Sequence, residues 1–175
     1  TADGLAKCWG DNDYGQLGNG TQMDSSTPQD VVGPTIFSAV AAGYDHNCGI
    51  SSNGEAKCWG NNEDGQLGDG TTTFRSTPVD VAGLESNLIT IASKYDQTCV
   101  LTSSGDVKCW GSWDEENTPM GISGLGTDPV GLAVGVGHAC ALMSSSGIKC
   151  WGSNTSGQLG DGTIIWRAVP TDVRG

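Results

Sequence analysis

The residues best equipped for chemistry in this chain are its seven cysteines, six of which fall into three pairs of equal spacing. The pairs are Cys48 with Cys58, Cys99 with Cys109, and Cys140 with Cys150. Thiols so spaced can oxidise to disulfides, stay reduced in a core, or ligate a metal. Zinc sites favour short C-x-x-C pairs, so the metal reading is the weakest of the three. Cys48 and Cys58 each lie five residues from Asn53, and Asn53-Gly54 is a hairpin signal because both residues tolerate positive φ. The two cysteines therefore oppose each other across an antiparallel pair, where Cα atoms about 4.5–5.5 Å apart suit a disulfide. A closed loop of about ten residues contributes about 2–3 kcal/mol. Three such bridges imply an oxidising compartment, extracellular or at the cell surface. Cys8 is left over.

The other candidate groups offer less. His46 and His138 sit in matching sequence contexts far apart in the chain. A catalytic base needs a nucleophile and an orienting group beside it, so both are expected to be structural hydrogen-bonding residues. No G-x-S-x-G elbow, Walker loop or H-E-x-x-H occurs, and no catalytic residue is assigned. Calcium is the one cofactor the oxygen-rich stretches Asp11-Asn12-Asp13 and Asn61-Asn62-Glu63-Asp64 could take, although neither fits the twelve-residue calcium loop. Asp69 and Asp161 precede Gly-Thr and read as side chains bonding to turn backbone. Asn19-Gly20-Thr21 and Asn154-Thr155-Ser156 are N-glycosylation sequons that coincide with repeated elements.

Positioning these groups falls to a repeat. Cys-Trp-Gly recurs at Cys8, Cys58, Cys109 and Cys150, at intervals of 50, 51 and 41 residues. Gly-Gln-Leu-Gly follows at Gly15, Gly65 and Gly157, then Gly-Thr, then a proline and a β-branched run. Period-2 alternation marks strands: Val40 and Ala42, then Cys48 and Ile50, then Ala56 and Cys58. Pro78 is expected to open the strand Val79-Asp80-Val81. Each unit thus reads as four short strands without a helix, which is the pattern of a propeller blade. The fold class is all-β, with units at about 1–33, 34–83, 84–131 and 132–175. Trp9, Trp59, Trp110 and Trp151 recur at one position and are expected to pack between blades.

Taken together, His-x-Cys, Lys-Cys-Trp-Gly, Gly-Gln-Leu-Gly-Asp-Gly-Thr and Pro-x-x-Val resemble the regulator-of-chromosome-condensation repeat family, over nearly the whole chain. The resemblance implies a seven-bladed ring, and the paired cysteines are similar to its extracellular bacterial and algal branch. The pattern is broken in places. The third unit lacks Gly-Gln-Leu-Gly, Gln97 stands where His46 and His138 stand, and Gly147 comes one place late in its hairpin. By the repeat, the partner of Cys8 would precede Thr1, so the chain is expected to be about three and a half blades of a longer propeller. Alternatively, two copies would close one ring.

The formal charge is −12, from 20 acidic and 8 basic residues, with no basic patch to displace counterions from a nucleic acid. No run approaches the roughly 20 apolar residues of a membrane span. Function is expected where the repeats disagree. After each Gly-Thr the units carry Asp24-Ser25, Phe74-Arg75 and Trp166-Arg167, and Trp113 occupies the short connection. Aromatic residues and arginine dominate interface hot spots. Phe74, Arg75, Trp113, Trp166 and Arg167 are therefore candidates for a partner-binding face, the alternative being that they pack onto their own blades. The leading reading is a secreted or cell-surface, non-catalytic scaffold for a protein or glycan. A nucleotide-exchange factor for a small GTPase, suggested by the family, and part of an extracellular enzyme are the alternatives.

Overall fold

The structure, a computed structural model, describes residues 1, 4–33, 35–111, 117–126, 128–145 and 147–174. It is all-β, as the repeat requires. Fourteen strands are described. The first two, β1 (Lys7–Gly10) and β2 (Ser25–Asp30), form a two-stranded sheet. Three four-stranded antiparallel meanders follow. They are β3 (Phe37–Ala42), β4 (His46–Ser51), β5 (Ala56–Gly60) and β6 (Arg75–Asp80); β7 (Leu88–Lys94), β8 (Gln97–Thr102), β9 (Val107–Gly111) and β10 (Met120–Gly121); and β11 (Pro129–Gly135), β12 (His138–Met143), β13 (Ile148–Gly152) and β14 (Arg167–Asp172). Strand β7 lies against both β3 and β11, so the strand that begins each unit is the one blades share at their inner edge.

The hairpin that carries each cysteine pair is in the expected register. Cys48 pairs with Cys58, Cys99 with Cys109, and Cys140 with Cys150. Each pair is a disulfide with Cα atoms 4.1 Å apart, somewhat closer than expected. The turn chemistry differs from the expectation in one respect. Gly54 alone takes a positive φ, 80°, and Ser51 N donates to Glu55 O, so Ser52-Asn53-Gly54 is a three-residue loop closed by glycine. In the last hairpin Met143 N donates to Gly147 O, so Gly147 takes the place of Glu55, and the cysteine register is untouched by the shift.

Pro78 lies inside β6 instead of opening it. The outermost strand tolerates this because its free side needs no donor, and the register of β5 and β6 shifts between Cys58 and Gly60. The apolar core sits between the blades. One cluster joins Ile50, Ala56 and the Cys48–Cys58 bridge to Ile91, Val100 and Trp110 of the next blade. The second joins Leu101, Val107 and Cys99–Cys109 to Ala139, Ala141 and Trp151. Disulfides and indoles therefore belong to the seams.

Candidate binding rim

The connection between third and fourth strands carries the repeat's variable residues, and in the first, second and fourth blades one asparagine holds it in shape. Asn62 Nδ2 donates to the carbonyls of Thr71 and Thr73 at 3.0 and 3.1 Å, and Leu67 N donates to Asn62 Oδ1 at 2.9 Å. Asn12 does the same with Thr21, Met23 and Leu17. Asn154 repeats it with Thr163, Ile165 and Leu159. All three side chains are fully buried, because an amide that serves a loop from within has no face left for water. Sequence reasoning passed over this role, although the signal was there: each asparagine stands two residues after the glycine of Cys-Trp-Gly. Asn154 is thereby corrected as a glycan acceptor, since its amide nitrogen is engaged inside the fold. Asn19 is half-buried, and its Oδ1 accepts from Thr21 N and Oγ1.

Asp69 and Asp161 bond to turn backbone as expected, and each also grips an arginine. Thr71 N and Oγ1 donate to Asp69 Oδ1, while Arg75 Nε and NH2 reach Asp69 Oδ2 at 2.9 and 2.7 Å. Arg167 makes the same fork on Asp161 at 2.8 and 2.6 Å. Burial pushes the Asp69 carboxyl up, but the bonds from Thr71 and Arg75 outweigh it and hold it below its ordinary value. The Thr163 hydroxyl, aided by Arg167, holds Asp161 well below the carboxylate range against the same opposition.

The structure therefore separates the partner-binding candidates. Arg75 and Arg167 clamp the turns of their own blades, Nε and one terminal nitrogen of each converging on a single carboxylate oxygen, while each side chain stays about a third exposed. Phe74 and Trp166 are exposed at matching places in the second and fourth blades, with the shortened blade between them. Trp113 lies outside the described residues. Beside Trp166, Ile164 and Ile165 are also exposed, giving a three-residue apolar run of 71%, 59% and 63% that sequence reasoning named only at its last residue. Among the described residues no three His, Cys, Asp or Glu groups converge to hold a metal, and Asn62 faces its own loop instead of a calcium ion.

His46 is buried, and its Nε2 lies 2.8 Å from Thr98 Oγ1 of the next blade. Burial pushes its pKa down from 6.5 to about 4. His138 is half-buried and, among the described residues, its Nδ1 lies 3.4 Å from Val136 O. The unfolded chain therefore takes up a proton on His46 near pH 6.5 while the folded chain refuses it until about pH 4. Stability from this group is complete above pH 6.5 and is lost as pH falls towards 4. The full loss is about 3 kcal/mol at about 1.4 kcal/mol per pH unit. His46→Gln, the residue Gln97 already offers at that position, is expected to flatten the fall in melting temperature over this window. An unchanged pH profile would refute the assignment.

Comparison with known proteins places this geometry. Two profiles described as regulator of chromosome condensation (RCC1) repeat match the chain, one over residues 3–50 and 53–101, the other over 37–66, 89–115 and 130–158. The fold is similar to that of human WBSCR16, with a TM-score of 0.89 and 24% identity over 100% of this chain and 50% of that one. It is similar also to Prp20p from Saccharomyces cerevisiae, at 0.83 and 21% over 98% and 48%. The ectodomain of the Physcomitrella patens receptor kinase CR4 matches at 0.55 and 25%, over 87% of this chain and 35% of that one. The chain thus spans half or less of each of these proteins. With family profiles covering most of its length and blades that reproduce the propeller fold, this chain belongs to the RCC1 repeat family.

Proposed function

We propose that this chain is a disulfide-stapled propeller scaffold that works outside the reducing cytosol and presents its rim to a protein partner. The observation that carries the reading is the same bridge in the same register in three successive blades. A bond repeated this faithfully and buried in the seams serves stability where oxidation persists. The likeness to a receptor-kinase ectodomain supports the compartment. Thiol titration of the native secreted or expressed protein under denaturing, non-reducing conditions tests it. None of the six paired cysteines is expected to react, whatever the state of Cys8. Reaction of all six would return the chain to a reducing compartment.

The partner surface in this reading is the exposed run Ile164-Ile165-Trp166, with Phe74 as its counterpart two blades away. The asparagine cradle and the arginine fork fix the backbone under these side chains, so they are displayed without the entropic loss of ordering a loose loop. Trp166→Ala is expected to leave the melting temperature within about 2 °C, as surface changes do, and to weaken capture of the physiological partner at least tenfold. A folded variant with undiminished binding would count against the rim. The nucleotide-exchange reading draws on Prp20p, whose binding properties to Gsp1p and histones have been described, but identity of 21% carries the fold alone.

A further inference from the structure

The first blade departs from the rim's pattern at one amide. Asp69 and Asp161 stand before Gly-Thr in the second and fourth blades, and Asn19 holds the same place in the first. Its Oδ1 does what theirs does, accepting from Thr21 N at 3.0 Å and from Thr21 Oγ1 at 2.8 Å. The second atom differs. In the other two blades Oδ2 holds an arginine, Arg75 or Arg167. In the first blade an amide nitrogen takes that oxygen's place, and a guanidinium would face another donor there. The arginine is gone too, with Ser25 at its position. Asn19 Nδ2 thus has no hydrogen-bond partner among the described residues, and it is not one of the buried polar atoms shut away from water.

Asn154, the other sequon residue, is the opposite case. Its side chain is fully buried, and Nδ2 donates to Asp161 Oδ1, Thr163 O, Thr163 Oγ1 and Ile165 O. A sugar on that nitrogen would undo the cradle of the fourth blade. Asn19 asks for no such sacrifice. Its turn is pinned on both sides, Gly20 N donating to Ser76 O of the second blade at 2.9 Å and Val32 N to Gly18 O at 2.8 Å. Gly20 and Thr21 are exposed. This part of the rim is also not built for an apolar contact. Where the second and fourth blades expose Phe74 and Trp166, the first has Asp24, whose Oδ1 accepts from Asn12 N at 2.9 Å.

We propose that Asn19 carries an N-linked oligosaccharide while Asn154 stays bare, and that the sugar occupies the first blade's share of the rim. Gly20 satisfies the requirement for a middle residue other than proline, and Thr21 supplies the hydroxyl. The step is a transfer from an oligosaccharide held on a lipid diphosphate. Asn19 Nδ2 attacks the anomeric carbon, and the new C–N bond replaces the C–O bond to the diphosphate. The diphosphate leaves on its lipid, and the amide gives up one of its two protons. A bulky, hydrated group at this turn confines partner contact to the second to fourth blades. The inference rests on the secreted reading and adds to it a modification and a boundary for the partner face.

The full chain is expressed behind a secretion signal in cultured eukaryotic cells, and its intact mass is measured before and after peptide-N-glycosidase. The loss of one oligosaccharide per chain is expected, with peptide mapping placing the newly formed aspartate at position 19 and asparagine still at 154. Asn19→Asp keeps the acceptor for Thr21 and copies the other blades, so it should fold, be secreted and carry no sugar. Thr21→Ser should keep the sugar. A secreted chain of unchanged mass would overturn the site, as would a sugar on Asn154 instead, or one still present in Asn19→Asp. Thiol titration of the same sample judges the compartment separately: closed bridges with a bare Asn19 sink the glycan and spare the scaffold.

Discussion

Trp110→Ala is expected to destabilise the chain by about 3–5 kcal/mol, the range for truncating a large buried aromatic side chain. The indole is 1% exposed and fills the seam between the second and third blades against Leu67 and Val81. Gly68 lies so close under it that an added Cβ would stand 2.7 Å from Nε1, so the neighbouring blade cannot slide in to refill the space without its own rearrangement. The indole N–H also serves the Gln66 carbonyl, which the truncation would leave unpaired. Trp9 is the control. It is 62% exposed in the two-stranded first sheet, and Trp9→Ala should cost less than about 1 kcal/mol. Urea denaturation measures both, and similar losses for the two variants would show that the tryptophans act through something other than the seam.

Asn62→Ala comes next, at about 3 kcal/mol. Its Oδ1 is the acceptor for Leu67 N, and its Nδ2 serves two carbonyls and Asp69 Oδ1. Removing the amide strands three backbone groups, the buried Leu67 N–H and two partly buried carbonyls, at about 1 kcal/mol each. Asn62→Asp should do nearly as much harm despite its matching shape, because a carboxylate cannot donate to Thr71 O and Thr73 O. Hydrogen exchange at the Leu67 amide is the sensitive readout. It should accelerate in both variants while amides of the Cys48–Cys58 hairpin remain protected, and a uniform acceleration would point to global unfolding instead.

Strands, registers and bridges could be read from the sequence because they follow from local rules that repeat: Cys-Trp-Gly at a fixed period, glycine at the hairpin, alternation on either side. What the sequence concealed was the direction in which a side chain turns. Arg75 and Arg167 stand beside exposed aromatic residues and invite a partner reading, but Asp69 and Asp161, six residues earlier, claim both guanidinium groups. Asn154 carries a sequon, yet the amide that a glycan would need holds Thr163 and Ile165. Four equal tryptophans proved unequal, since burial depends on the neighbouring blade and not on the motif. The tripeptide around the proline misled in a milder way: it sits within an edge strand, where the rule against proline is relaxed.

Every disulfide in this chain closes a loop within one hairpin, ten residues from cysteine to cysteine, and none ties one blade to another. Covalent strength is thus confined inside the units, and cohesion along the ring is left to indoles, leucines and the bonds between adjacent loops. Stretched between its termini, such a chain would part at a seam first, one blade at a time. Each released blade would then pay out about 35 Å less thread than a reduced one, because about ten residues at about 3.5 Å stay knotted.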